Sequence, residues 1–184
     1  MKILILGATG GLAQVVIPVL LENPDNHLTL FARDTRRLSS FCHANVQLVQ
    51  GDALNLADVQ QAMSGQDLVY INLSGDLATM TRNVVQAMQT ADVKRVILVS
   101  SMGIYGETPE DHGAILDPYR HSAKIIEQSG LDYTILRPAW FTNDASINYQ
   151  LTRKGEAFIG NRVSRRSIAD LVAKIVAQPN LYLG

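Results

Sequence analysis

Residues 3–16 read ILILGATGGLAQVV, an apolar run that breaks on Gly7, Gly10 and Gly11 and then turns apolar again at once. Glycines set that closely normally interrupt structure; between two apolar segments they describe a tight turn from a buried strand into a helix. A helix starting straight after such a turn aims free N–H groups and a partial positive charge into it, which suits a phosphate. Gly7 permits the tight exit from the strand, and Gly10 lets the backbone approach a pyrophosphate with no Cβ in the way. Gly11 adds flexibility beside it, and Ala13 stands where a small residue lets the helix pack closely on the strand. The pattern is G-x-x-G-x-x-A rather than the G-x-G-x-x-G of the dinucleotide fingerprint, so taken alone it also fits a purely structural turn.

The setting of the turn favours the ligand. Short apolar runs recur as KILIL (2–6), HLTLF (27–31), VQLV (46–49), LVYIN (68–72), RVILVS (95–100) and DYTILR (132–137). They are rich in β-branched residues without strict alternation, as strands covered on both faces should be. Between them lie helix-like segments at 11–22, 34–41, 56–63, 77–91 and 117–129; in the fourth, Leu77, Met80, Val84, Ala87, Met88 and Ala91 fall at helical intervals. Strands alternating with helices predict a parallel sheet of right-handed βαβ units, an α/β doubly wound sheet of Rossmann type. A glycine turn at its first strand–helix junction reads as dinucleotide-binding. The alternation stops after Pro138. Residues 143–166 read as a polar loop with a hairpin, followed by a helix over 168–177 opened by a Ser167/Asp170 capping-box-like pair. NLYL (180–183) reads as a strand barely begun. The whole chain, 1–184, is expected to form one domain, with 138–166 lining the substrate side as a small C-terminal extension.

Composition narrows the function class. At 184 residues, with 47% hydrophobic and 18% charged residues, the chain is too apolar for disorder, and it holds no uncharged apolar run long enough to span a bilayer. With the first strand beginning at Lys2, no signal or transit peptide is expected. A net charge of −1 gives no general attraction to nucleic acid. The single cysteine, Cys42, fits a reducing, cytoplasmic compartment and reads as a small packed side chain. No membrane or nucleic-acid partner and no metal site are expected.

The end of the second strand bears on cofactor choice. NAD-binding folds usually place an acidic residue there, on the ribose 2′-hydroxyl. Here LTLFARDTRRL puts Arg33 at that point, with Arg36 and Arg37 close behind. A guanidinium pairs bidentately with a 2′-phosphate, so NADP(H) is expected over NAD(H). The alternative is that these arginines decorate a solvated helix start, which Asp34 would cap.

Together GATGGLA, FARD, GDALN, SSMGIYGE and LDYTILRPAWFTN resemble the atypical short-chain dehydrogenase/reductases, and among them the NmrA-like, NAD(P)-binding branch related to flavin and biliverdin reductases. The likeness covers nearly the whole chain. It implies that Gly7, Thr9, Gly10, Gly11 and Leu12 line the pyrophosphate and that Arg33 holds the 2′-phosphate. It places Asp52 and Ala53 at the adenine, Leu73, Ser74 and Gly75 beside the ribose, and Ser100 and Ser101 near the nicotinamide. Pro138 and Ala139 would border the nicotinamide, with Trp140 and Phe141 at the substrate mouth.

One departure from that family matters for chemistry. Its oxidoreductases use Tyr-x-x-x-Lys on the helix after the serine strand, the lysine lowering the tyrosine pKa for proton exchange. This chain has PYRHSAKII: Lys124 suits the ribose, but Arg120 stands four residues before it and Tyr119 five. Five residues swing a side chain on by about 100° from the face that four restore. Tyr119 is therefore expected to miss the site, and Arg120 cannot be a neutral proton donor. Tyr105 is the other candidate acid, with a packing or lid role as its alternative, while His112 and His121 read as solvated surface. Trp140 stacks on an aromatic substrate or simply walls a pocket. Ser101, Tyr105 and Lys124 are thus the catalytic candidates. A flavin or quinone acceptor would need little proton chemistry from the protein. Two functions follow: an NADPH-dependent reductase of a small conjugated acceptor, or a regulatory protein that binds NADP(H) and signals its redox state to a protein partner. The basic segment Arg153, Lys154, Arg162, Arg165 and Arg166 is a solvated surface or a contact for an anionic substrate or partner.

Overall fold

The computed structural model describes residues 1–110 and 112–184. Six parallel strands form one sheet: β1 (Lys2–Leu6), β2 (His27–Ala32), β3 (Val46–Gln50), β4 (Leu68–Ile71), β5 (Arg95–Val99) and β6 (Asp132–Leu136). Their order is β3-β2-β1-β4-β5-β6, so the winding reverses between β1 and β4 and opens a crevice at the carboxyl ends of those strands. Registry aligns the exits: Leu6 is level with Phe31 and Ile71, and Val99 with Leu136. The loops after β1, β2 and β4 therefore emerge side by side, as do those after β5 and β6.

Helices cover both faces, as the uninterrupted apolar strands require. On one face α1 (Ala13–Leu21) and α5 (Arg165–Ala177) pack together over Ile3, Ile5, Leu28, Leu30 and Ile97. On the other, α2 (Leu56–Met63), α3 (Leu77–Thr90) and α4 (Asp117–Glu127) cover Leu4, Leu6, Val69, Val96 and Leu98. Because β1 is central, its residues 3 to 6 are fully buried. The doubly wound sheet expected from the alternation is the sheet observed.

Several local expectations fail, each for a tertiary reason. The edge strand β3 is not covered on both faces; Leu48 is exposed, because only β2 pairs with it. The helix-like segment 34–41 is a 3₁₀ helix over Thr35–Phe41 rather than an α-helix, and Cys42, just beyond it, is exposed rather than packed. Residues 143–166 hold no hairpin. Instead β7 (Trp140–Thr142) pairs in parallel with β8 (Arg162–Ser164), so the intervening loop arches between two strands running the same way. This pairing brings α5 forward to Arg165, capped by Ser164, whose Oγ accepts from the Ser167 N–H at 3.0 Å. Ser167 lies inside the first turn, and Asp170 pairs with Lys174 at 2.7 Å instead of completing a box. NLYL falls in a 3₁₀ turn over Pro179–Tyr182, docked on β6 where the Thr134 hydroxyl bonds the Tyr182 carbonyl and the Gly184 N–H donates to the Tyr133 carbonyl. No helix among the described residues is long and apolar enough to cross a membrane.

Candidate functional site

The glycine turn sits at the crevice and is built to let two backbones touch. Gly7 leaves β1 at φ +79°, and a Cβ there would fall on the Asn72 carbonyl, 2.8 Å from its carbon. At Gly10 a Cβ would sit 2.8 Å from Asn72 Nδ2 and 3.2 Å from the Gly7 oxygen. The Gly10 N–H closes the turn onto the Gly7 carbonyl at 2.9 Å. The N-terminus of α1 carries neither a side-chain cap nor an acid in its first turn, so no side chain competes with an anion there, while the Gln14 and Val15 N–H groups already donate to the Gly10 and Leu12 carbonyls at 3.0 Å. A phosphate cradle needs that combination.

Around this turn lies a cavity of about 240 Å³ into which β1, β2, β3 and β4 all empty. Gly7, Thr9, Gly10, Arg33, Asp52, Ala53, Leu73, Ser74 and Gly75 line it, as the motifs implied, together with Asn72, Gly51 and Met80, which the motifs did not single out. Arg36 is committed elsewhere: its side chain pairs with Asp34 at 2.9 Å, and Asp34 also accepts its backbone N–H as the cap expected. Arg33 is left as the cation on the cavity wall. Two residues of the implied set lie outside. Gly11 faces Arg165, and Leu12, 3% exposed, has its side chain in the core under α1, leaving only its backbone near a ligand.

A second cavity of about 280 Å³ opens where β5 and β6 end. Ser100, Ser101, Pro138, Ala139, Trp140 and Phe141 line it, with Met102, Leu116, His112 and Tyr119. Trp140 is 66% exposed, an aromatic face turned outward at the rim. Two expectations change here. Tyr119, expected to miss the site, lines it: α4 begins at Asp117 as expected, and it is its first turn that borders the cavity. Lys124 lies some 7 Å further along the axis, exposed, and lines neither cavity. Arg120 points away, pairing with Asp117 at 2.9 Å and donating to the Gly113 carbonyl at 2.8 Å.

Tyr105 also lines neither cavity. Its hydroxyl donates to Glu127 at 2.5 Å, and its ring lies between the Arg137 guanidinium and the Lys154 ammonium. Burial and then the Glu127 carboxylate push its pKa well above the usual phenol range, the wrong direction for an acid. Tyr105 is thus part of the wall behind the loop, not a lid over the nicotinamide position. His112 was read as solvated surface, but it lines the second cavity, and its Nε2 is buried without a hydrogen-bond partner among the described residues, as is Ser100 Oγ. Nothing in the local sequence distinguishes it from His121, which is exposed.

Behind the cavity is an ion pair that no motif announced. Glu107 and Arg137 meet at 2.8 Å with side chains 3% and 7% exposed. Glu107 further accepts the backbone N–H groups of Gly103 at 3.1 Å and Tyr105 at 2.8 Å, pinning the loop that carries Ser101 and Met102. The partners are 30 residues apart, beyond any periodic signal.

Comparison with known proteins agrees with this geometry. Residues 7–179 match the profile of a protein family described as NAD(P)H-binding. A Rossmann-fold NAD(P)-binding family protein from Shigella flexneri superposes with a TM-score of 0.90 at 44% identity, over 99% of this chain and 89% of that one. A short-chain dehydrogenase/reductase from Veillonella parvula, solved in complex with NADP, gives 0.92 at 28% identity over 99% and 90%. Among curated relatives, the uncharacterized sugar epimerase YhfK of Bacillus subtilis is 26% identical over 78% of this chain and 74% of its own length. Quinone oxidoreductase 2 of Escherichia coli is 26% identical over 86% of this chain, which spans about half, 55%, of that protein. A glycine cradle at the switch point of a doubly wound sheet, matched over nearly its whole length, places this chain in the NAD(P)H-binding family.

Proposed function

We propose that the protein is an NADPH-dependent oxidoreductase of the atypical short-chain dehydrogenase/reductase type, acting in the cytoplasm on a small conjugated acceptor such as a flavin or a quinone. One observation carries the reading: the phosphate cradle with Arg33 on its wall and the aromatic-rimmed cavity after β5 and β6 share one edge of the sheet. A bound NADPH supplies the hydride. The chain supplies placement: Gly7 and Gly10 hold the pyrophosphate close to backbone, Arg33 takes the 2′-phosphate, and Asp52 and Ala53 border the adenine. Leu73, Ser74 and Gly75 flank the ribose, while Pro138 and Ala139 wall the nicotinamide side and Trp140 and Phe141 offer flat surfaces to a planar acceptor. Ser101 offers a hydroxyl to an acceptor oxygen. The quinone oxidoreductase among the relatives and the NADP complex among the structural neighbours support this choice.

A second reading is kept because the usual tyrosine–lysine pair is not assembled: Tyr119 stands five residues before Lys124 rather than four, and Lys124, like the other candidate acid Tyr105, lines neither cavity. A protein without that pair suits a non-catalytic NADP(H) sensor of the NmrA-like kind, acting on a protein partner. Titration with NADPH, NADP⁺, NADH and NAD⁺ by calorimetry, followed by an acceptor panel of quinones and flavins, separates the two. Turnover selects the reductase; tight binding with no turnover, and unequal affinity for the two redox states, selects the sensor. In the same titration Arg33→Asp should weaken NADPH binding by about 100-fold, the worth of a charge-assisted phosphate contact and its reversal. NADH binding should change by less than about threefold, since NADH presents no 2′-phosphate; equal losses for both would refute the role given to Arg33.

A further inference from the structure

The sequence showed a basic cluster near the C-terminal helix that the function above leaves unused, and one member of it is set apart by its surroundings. α1 and α5 lie side by side on one sheet face and both begin at the carboxyl edge, so the first residue of α5 comes level with the glycine turn. That residue is Arg165. A Cβ built on Gly11 would lie 3.7 Å from its Nε, which makes it the side chain nearest that corner of the turn. Arg36, Arg120 and Arg137 are each neutralised by a carboxylate, whereas the polar partners of Arg165 among the described residues are neutral: Asn143 Oδ1 at 2.7 Å and the Thr142 carbonyl at 3.5 Å. Its guanidinium also lies over the Phe141 ring, 5.1 Å from the centroid. It occupies the first turn of α5, which has no acidic residue, so the helix dipole disfavours its charge rather than offsetting it. The site wants an anion.

We propose that Arg165 is a positioning residue that pairs with the pyrophosphate of the bound dinucleotide and, through Asn143 and Phe141, transmits that binding to β7. The inference rests on the nucleotide reading of the glycine cradle and extends it. The cradle offers the pyrophosphate N–H groups from one side; Arg165 supplies the counter-charge from the other, across Gly11, where a glycine leaves the approach open. Two links tie the guanidinium to the rim of the acceptor cavity: its hydrogen bond to Asn143 and its contact with Phe141, which together with Trp140 walls that cavity. Loading of the cofactor therefore sets the position of the acceptor wall before an acceptor arrives.

The test is calorimetric titration of the full chain with NADP⁺ and with adenosine 2′-monophosphate, which keeps the 2′-phosphate and lacks the pyrophosphate. Wild type, Arg165→Met and Arg165→Lys are compared, with melting temperatures as the folding control. Arg165→Met is expected to bind NADP⁺ about 10- to 100-fold more weakly, Arg165→Lys to recover part of the loss, and the monophosphate to bind all three alike. The emission of Trp140, the single tryptophan, should shift on saturation with NADP⁺ in wild type and not in Arg165→Met. Unchanged NADP⁺ affinity in Arg165→Met, or an equal loss for the monophosphate, overturns the proposal while leaving the nucleotide reading standing. If wild type binds NADP⁺ tightly and its Trp140 emission shifts equally in Arg165→Met, the link to β7 is wrong. If wild type binds neither ligand, the nucleotide reading itself fails, and the proposal with it.

Discussion

Gly7→Ala is expected to abolish measurable dinucleotide binding and to cost roughly 2–5 kcal/mol of stability, the sum of forcing an L-residue to positive φ and overpacking a closed contact. At φ +79° the new methyl would collide with the carbonyl of Asn72, and that carbonyl belongs to backbone leaving β4, not to a side chain that could swing aside. Relief requires the ends of β1 and β4 to separate, yet the two are paired through Leu6 and Ile71 and buried on both faces. Either the turn re-forms elsewhere, carrying the Gly10 N–H off the Gly7 carbonyl, or β4 shifts and takes Leu73, Ser74 and Gly75 with it. Both outcomes spoil the cradle. Urea unfolding and NADPH titration on the same preparation check it, and a variant that binds within tenfold of wild type would mean that the turn does not approach the ligand as described. Gly10→Ala is a useful comparison, because its nearest neighbour is the terminal nitrogen of the Asn72 side chain, which can move.

Glu107→Ala should cost about 3–5 kcal/mol, the range for breaking a buried ion pair from one side. The deletion strands the Arg137 guanidinium, 7% exposed, with only the Thr152 carbonyl at 3.1 Å as a remaining acceptor among the described residues, and it leaves the N–H groups of Gly103 and Tyr105 without theirs. The double variant Glu107→Ala/Arg137→Met removes the orphaned charge and should recover part of the loss; if it is as unstable as the single variant, the damage comes from the loop N–H groups alone. The pair also has a pH signature. Burial pushes the Glu107 carboxyl up, but backbone N–H donors and the Arg137 guanidinium together outweigh burial and hold it below its ordinary value of 4.5. A carboxylate with a depressed folded pKa contributes stability that is full above its unfolded value and is lost as pH falls through the folded one. Wild type should thus lose this contribution below about pH 4.5, and Glu107→Gln, which has no proton to gain, should show a shallower acid limb in stability against pH. Because Glu107 pins the loop bearing Ser101 and Met102, acceptor turnover should fall further than NADPH affinity in this variant.

The two ends of the molecule were unequally legible before folding. KILIL followed by Gly7, Gly10 and Gly11 is a local message: each residue acts on its chain neighbours, so strand, turn and helix could be named in order, and the alternation up to Pro138 yielded the doubly wound sheet. Arg33 was legible from its place at the end of the second strand, whereas Asp52, Ala53 and Ser74 came from the family resemblance; all four line the crevice because each lies just past a strand's carboxyl end. Tyr119 was misjudged because angular spacing relative to Lys124 does not say which turn of the helix reaches the cavity; the first turn of α4 does, and Lys124 lies further along it. For Tyr105 the packing alternative holds over the acid role, because Glu127, 22 residues on, captures its hydroxyl. β7 and β8, Cys42 and the cap at Ser164 were set by pairings or solvent exposure that no window of sequence contains.

What the sequence determined by itself was the fold class and the cradle, because glycine freedom, strand apolarity and helix periodicity are properties of short stretches. Only the tertiary structure decided which side chains share a cavity. The closing of Glu107 on Arg137 and the approach of Arg165 to Gly11 each join residues distant in the chain, and such contacts are selected by packing and by the burial of charge rather than by local propensity.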